Sequence, residues 1–282
     1  PVAKNRGSVP LRRKTTLRPR PAARKAASSK VAILPARLDL LNLRASSAYV
    51  IDRETNEVLL GKNAQAMLPI ASLTKLMTGV VIADAELPMD EELTITDDDV
   101  DRVKNSGSRL NVGTVLTRGQ ALHLALMSSE NRAAHALART YPGGKSAFVS
   151  AMNVKAREFG MRDTQFMEPT GLSSDNQSTA RDLAVLAAKA TERPLLQELS
   201  TSPGCELTVD GRRLQYVNSN RLVRTGLWNI DLQKTGYIRE AGYNLLMSAE
   251  LSGRKLIMVF LDSASQATRL RDAELVRQWL AR

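Results

Sequence analysis

Strand-like segments stand at the two ends of the patterned part of this chain, and helical segments fill the long stretch between them. Residues 46–52 (SSAYVID) and 57–61 flank the turn residues Arg53 to Asn56 and read as a β-hairpin. Far downstream, residues 229–238 read as a strand, and 243–251 and 255–261 read as a second hairpin around Ser252-Gly253-Arg254. Hairpin strands pair antiparallel. The simplest assembly joins both ends in one five-stranded antiparallel sheet, so the chain between them forms a second lobe with a site at the seam. That lobe, roughly residues 86–200, is mainly helical, and the fold class is α+β.

Local signals support this order. Pro69 precedes a helix over residues 72–85, with apolar residues at 73, 76, 77, 80 and 81. Thr117 caps a helix to Met127, and after a break at 128–131 another helix runs to Thr140. Residues 145–159 are amphipathic and stop at Gly160, and Thr179 caps a helix to Thr191, ahead of Pro194. Residues 268–282 form a closing amphipathic helix. The acidic stretch 97–101 reads as a helical turn or a solvated face, because it lacks the glycine a calcium loop needs.

Composition excludes several classes. Cys205 is the one cysteine of 282 residues and there are two histidines, so neither an intrachain disulfide nor a four-ligand zinc site is expected, and no cofactor is. His123 and His135 read as structural or surface residues. No Walker A loop, G-x-S-x-G elbow or dinucleotide fingerprint is present, and no apolar run has membrane-spanning length. The net charge of +11 resides entirely in residues 1–44, which hold 12 Lys and Arg against Asp39; the remainder has 28 bases and 28 acids. Residues 1–45 therefore read as a basic, disordered tail, with 31–43 as a bridge to the body. The tail is a solvated leader or a tether to an anionic wall polymer or membrane surface. Nucleic acid is disfavoured as a partner because no aromatic residue is interleaved for stacking. Beginning at Pro1 without Met, the chain is expected to be a processed form whose targeting peptide is missing.

Three short strings carry the chemistry. Ser72-Leu73-Thr74-Lys75 opens a helix, Ser129-Glu130-Asn131 lies between two helices, and Lys234-Thr235-Gly236 lies on a late strand. A serine hydroxyl is a weak nucleophile until a base is placed beside it. The i, i+3 spacing puts Ser72 and Lys75 on one helix face. Lys75 serves as base only if burial or a nearby cation lowers its pKa, and Lys234 is the obvious cation. Ser129 relays a proton to a leaving nitrogen, Asn131 holds Lys75 and a substrate amide, and Lys234 with Thr235 grips a carboxylate. Gly236 leaves room for an extended ligand, and the N–H groups of Ser72 and Tyr237 form an oxyanion hole. This set, Ser72, Lys75 and Ser129 as catalytic and Asn131, Lys234, Thr235, Gly236 and Tyr237 as substrate-binding, is equipment for acyl transfer through a serine ester. Two decoys fit less well. Ser252 to Lys255 falls in a hairpin turn, and Ser174-Asp175-Asn176 sits on a loop ahead of Thr179, where turn chemistry is expected.

These strings resemble those of the penicillin-recognising serine enzymes. The stretches ASLTKLMT, LALMSSENRAA, YPGG, FMEPTGLS, STARDL, WNIDLQKTGY and DAELVRQW look like the penicillin-binding protein 7/8 type, the D-alanyl-D-alanine endopeptidases, over residues 46–282. The resemblance implies the β-lactamase/DD-peptidase (transpeptidase-like) fold and a periplasmic enzyme that cleaves D-alanyl–meso-diaminopimelyl crosslinks between peptidoglycan stem peptides. β-Lactam antibiotics would acylate the same serine. The alternatives are a DD-carboxypeptidase, a serine β-lactamase, or a non-catalytic wall-binding protein working through its tail. Glu168-Pro169 is similar to the deacylating glutamate of class A β-lactamases, but the Thr-Gly-Leu-Ser that follows favours a loop-ordering role.

Overall fold

The computed structural model describes Val2, residues 41–209 and residues 211–281. The expectations for the basic tail and for most of its bridge fall outside these residues. In chain order the described elements are β1 (Ser47–Asp52), β2 (Val58–Lys62), β3 (Leu68–Pro69), α1 (Thr74–Asp84), β4 (Glu92–Thr94), β5 (Val115–Thr117), α2 (Arg118–Met127), α3 (Asn131–Arg139) and α4 (Gly144–Glu158). There follow β6 (Gln177–Ser178), α5 (Ala180–Ala190), α6 (Pro194–Thr201), β7 (Gly204–Val209), β8 (Arg212–Val217), α7 (Arg221–Thr225), β9 (Asn229–Ile238), β10 (Gly242–Leu251), β11 (Arg254–Ser263) and α8 (Gln266–Leu280).

The main sheet has five strands in the order β2-β1-β11-β10-β9, as expected from the two hairpins. Every pair is antiparallel, with Tyr49 opposite Val259 and Leu246 opposite Lys234. The late strands read as continuous apolar runs because both faces of the sheet are covered. Leu246, Ile257, Val259 and Leu261 face the core shared with α1, α2 and α5. Leu245, Met247, Leu256, Met258 and Phe260 face the other way, onto Ala273 and Val276 of α8. Alternation along each strand thus feeds two cores rather than one core and solvent.

α1 runs through the middle of the larger core, with every residue from Thr74 to Ile82 buried. A helix with no solvated face is a central one. Its neighbours are held by caps the sequence announces. The Thr117 hydroxyl accepts from Gln120 N while the Gln120 side chain returns a bond to Thr117 N, and the Thr179 side chain accepts from Asp182 N. Several elements lie outside the sequence reading, α6, β7, β8 and α7 among them. Pro194 opens α6 at its first turn, where a missing N–H costs nothing, although a proline there reads as a stop. The strands β7 and β8 pair as a separate hairpin, and α7 is a short turn of helix before β9. Among the described residues no helix is long and apolar enough to cross a membrane.

Candidate active site

β3 leads through Ile70 into a tight turn, Ala71–Leu73, that delivers Ser72 to the start of α1. Ala71 is held at φ +47°, a conformation that L-residues avoid. Two contacts impose it. The Ala71 side chain packs with Ile238 and Ala241 at the end of β9. On the other side Gly171, at φ +83°, lies against the Ala71 carbonyl so closely that a Cβ there would come within 1.8 Å of the oxygen. Only glycine fits such an approach.

Lys75, one helical turn beyond Ser72, is fully buried. Its Nζ donates to Ser72 Oγ at 2.9 Å, to Asn131 Oδ1 at 2.7 Å and to the Thr170 carbonyl at 2.7 Å. Three donors thus meet three acceptors. Burial pushes the pKa down to about 8, against the opposing pull of Glu168, Glu130 and Asp101. Lys234, also fully buried, donates to Ser129 Oγ and to the Thr235 carbonyl, both at 2.9 Å. Burial, then Lys75, then Arg269 hold its pKa well below 10.5. Of the two causes the sequence left open for Lys75, burial is the larger, and the approach of the two amines disfavours both of them being charged at once.

Ser129 adopts φ +66° in the break between α2 and α3, and Glu130 caps α3 by accepting from Arg132 N. Asn131, the first residue of α3, faces two ways: Oδ1 accepts from Lys75 and Nδ2 donates to Ser106 Oγ at 2.8 Å. Opposite stands β9, the edge strand of the sheet. Thr235 Oγ1 lies 2.7 Å from Ser219 Oγ. Gly236 passes so close to the Ser72 turn that a Cβ would lie 3.0 Å from Ile70 O and 3.1 Å from Ser72 N. Tyr237 is 53% exposed and stacks on Tyr243 with ring centroids 4.3 Å apart.

All eight residues singled out from the sequence thus meet at one place. Ser72, Ser129, Asn131, Thr235, Gly236 and Tyr237 line a cleft of about 320 Å³, and Lys75 and Lys234 lie bonded to its two serines. Four participants were not legible. The Thr170 carbonyl is a backbone atom inside the FMEPTGLS stretch, where no side chain marks its role, and Ser106 belongs to a loop without a motif. Ser219 comes from the segment after β8, and Arg269 comes from α8, where its periodicity marked only a helix. Arg269 is 3% exposed at the cleft wall, its Nη1 donates to the Asn244 carbonyl, and burial lowers its pKa to about 10. Its Nε has no hydrogen-bond partner among the described residues.

The decoys are structural. Ser252 to Lys255 occupies the β10–β11 turn. Asn176 is buried, accepts from Met167 N and Glu168 N, and donates to Thr74 Oγ1 and the Glu168 carbonyl. Glu168 takes bonds from Thr170 N and Oγ1, Gly171 N, Ser173 N and Asn176 Nδ2. Its carboxylate is consumed in shaping the loop that presents the Thr170 carbonyl to Lys75. The acidic stretch forms a turn at Asp97–Asp99, but it is not simply a solvated face. Asp99 is buried between Arg139 and His135; burial raises its pKa, and bonds from those two residues outweigh this and hold it at about 2. Asp101 orders the following loop by accepting from Val103 N, Lys104 N and Ser106 N.

Residues 34–265 match the family described as D-alanyl-D-alanine carboxypeptidase. The chain is 46% identical over 242 residues to a D-alanyl-D-alanine endopeptidase of Pseudomonas aeruginosa, covering 84% of this chain and 77% of that one. It is 41% identical over 240 residues to a D-alanyl-D-alanine endopeptidase of Escherichia coli, with the same coverage, 84% and 77%. Among solved structures, the crystal structure of the Streptomyces K15 DD-transpeptidase superposes with a TM-score of 0.78 at 27% identity, covering 84% of this chain and 97% of that one. The chain belongs to the D-alanyl-D-alanine carboxypeptidase family of serine peptidases.

Proposed function

We propose that this protein is a serine DD-peptidase that hydrolyses D-alanyl–meso-diaminopimelyl crosslinks in peptidoglycan through an acyl-enzyme on Ser72. The observation that carries the reading is the pair of hydroxyl–amine contacts, Lys75 to Ser72 and Lys234 to Ser129, on the two walls of one cleft. The relatives named as endopeptidases favour the crosslink over the free terminus.

In its neutral form Lys75 accepts the Ser72 proton as Oγ attacks the carbonyl carbon. The N–H groups of Ser72 and Tyr237 take the developing oxyanion. Such donors typically supply about 3–4 kcal/mol each. Ser129, bonded to Lys234, relays the proton from Lys75 to the leaving nitrogen, which returns Lys75 to its neutral form. The C–N bond then breaks, a free amine departs and Ser72 holds the ester. Water cleaves that ester with Lys75 again as base, releasing a carboxylate. Lys234, Thr235 and the adjacent Arg269 provide positive charge and a hydroxyl for the carboxylate of the leaving group. Asn131 receives the amide on the acyl side.

The peptidase domain is read as residues 46–282, acting in the periplasm, with the basic segment 1–44 as an electrostatic contact to anionic wall polymer or membrane surface. β-Lactams are expected to acylate Ser72. Incubation with a defined crosslinked muropeptide dimer should yield monomers, and Ser72→Ala should abolish this; intact dimers with the wild type would refute the reading. A second reading, DD-carboxypeptidase, has support in a 31% identical carboxypeptidase of Bacillus subtilis. It is favoured if free D-Ala is released from a pentapeptide more efficiently than the dimer is cut.

A further inference from the structure

A charged bridge joins the loop that holds Asn131 to the turn that follows Tyr237. Lys104 Nζ lies 2.5 Å from Glu240 Oε1, joining the loop after Asp101 to the turn between β9 and β10. These residues are 136 positions apart in the chain and come from opposite walls of the site. The Lys104 side is anchored through Asp101 and through Ser106, which bonds Asn131. The Glu240 side follows directly from Tyr237 along the edge strand. The two side chains keep 32% and 42% of their surface, so a ligand can reach both. A cavity of about 360 Å³, bounded in part by Asp98, Arg102, Val103, Asn131, Lys145 and Leu172, opens on the same wall as Lys104.

The direction of the substrate fixes what meets this bridge. With the leaving-group carboxylate at Lys234 and Thr235 and the reacting carbonyl at the N–H of Tyr237, the acyl chain continues past Tyr237 toward Glu240. β9 is an edge, so an extended acyl chain can add to it as another strand. β9 ends at Ile238, and Glu240 stands in the turn that follows, three residues beyond Tyr237. An acyl chain lying along this edge carries the side chain of the residue before its D-alanine toward that turn.

Resting on the serine-peptidase reading above, we propose that Lys104 and Glu240 form an acyl-side subsite for the zwitterionic end of a diaminopimelyl side chain. The distal carbon of that side chain carries one ammonium and one carboxylate. Glu240 takes the ammonium and Lys104 takes the carboxylate, so the bridge opens by exchanging partners and no charge is left unpaired. A side chain with one charge, or none, opens the bridge at a loss, and the subsite discriminates by that difference.

The test uses the full-length protein and stem peptides whose acyl side carries meso-diaminopimelate, its distal amide, or lysine. The wild type should prefer diaminopimelate by about tenfold in kcat/KM, the difference between a two-charge and a one-charge match. Lys104→Met should raise KM about tenfold on the diaminopimelyl stem and less than twofold on the lysyl stem, which has no distal carboxylate. Glu240→Gln should raise KM on both, and kcat should hold throughout. The exchange Lys104→Glu/Glu240→Lys rebuilds a bridge with its charges in the wrong places; full recovery of efficiency in it would reduce the bridge to a structural tie and overturn the proposal. Equal efficiency of the wild type on all three stems would also overturn it. Acylation of Ser72 by benzylpenicillin, which has no such side chain, should proceed at the same rate in every variant. A wild type that is never acylated refutes the serine-peptidase reading itself, whereas one that is acylated yet indifferent to the stem refutes only the subsite.

Discussion

Lys75 and Lys234 are the same residue type, both without solvent, yet they are built into opposite circumstances. Lys75 has an oxygen acceptor for each of its three protons and carboxylates nearby at Glu168, Glu130 and Asp101. Lys234 has two acceptors, and its electrostatic neighbours are Lys75 and Arg269, both cations. One ammonium is compensated by the protein; the other is left short of negative charge. The difference separates a group that needs to lose and regain a proton from a group that needs an anion brought to it. A carboxylate arriving beside Lys234 restores the missing charge and pulls its pKa back up, so binding and proton uptake are coupled there.

That contrast can be broken by removing each amine in turn. Lys75→Met should cut the rate of Ser72 acylation by about a thousandfold, within the range of lost general-base catalysis, as read by labelled penicillin. Lys234→Gln should act mainly through binding, raising KM for a carboxylate-bearing peptide by about 10–100-fold with a smaller loss in kcat. If the two variants shift kcat and KM alike, the division of labour is wrong.

The pH dependence sharpens the same point. Acylation should rise with pH through a midpoint near 8, as Lys75 is uncovered as a base. Its folded pKa lies below its unfolded value of 10.5, so between about pH 8 and 10.5 the unfolded chain holds the extra proton. Stability should therefore increase across that window, measured by urea unfolding. The smallest effect is expected at Glu168. Glu168→Gln keeps the shape but loses acceptor capacity toward the loop amides, so it should lower stability by about 1–2 kcal/mol and kcat by only several-fold. Complete loss of ester hydrolysis in that variant would instead give Glu168 a direct part in deacylation.

Much of this architecture was legible because its signals are local. Alternating strands at both chain ends, caps at Thr117 and Thr179, and three strings on the right kinds of element predict the sheet, the lobe and the eight residues that meet at the cleft. What escaped was of two sorts. Some local signals went unused: Asp210-Gly211 between β-prone runs is a strong hairpin marker, and Pro194 fits a first helical turn as well as a stop. Others have no local trace. Arg269 enters the site only because α8 packs across β10 and β11, and the Thr170 carbonyl is a backbone atom that any residue would supply. The sequence named burial or a neighbouring cation as the cause of the Lys75 shift, but only the packing around α1 shows how completely water is excluded from that amine.

The contact between Gly171 and Ala71 makes the loop and the turn carrying Ser72 a single mechanical part. Neither can be displaced without dragging the other, and each bears on Lys75. Remodelling of this enzyme toward new substrates is thereby channelled away from that bank. Freedom to change lies further out, at Lys104 and Glu240, whose side chains meet solvent and bond none of the reacting groups.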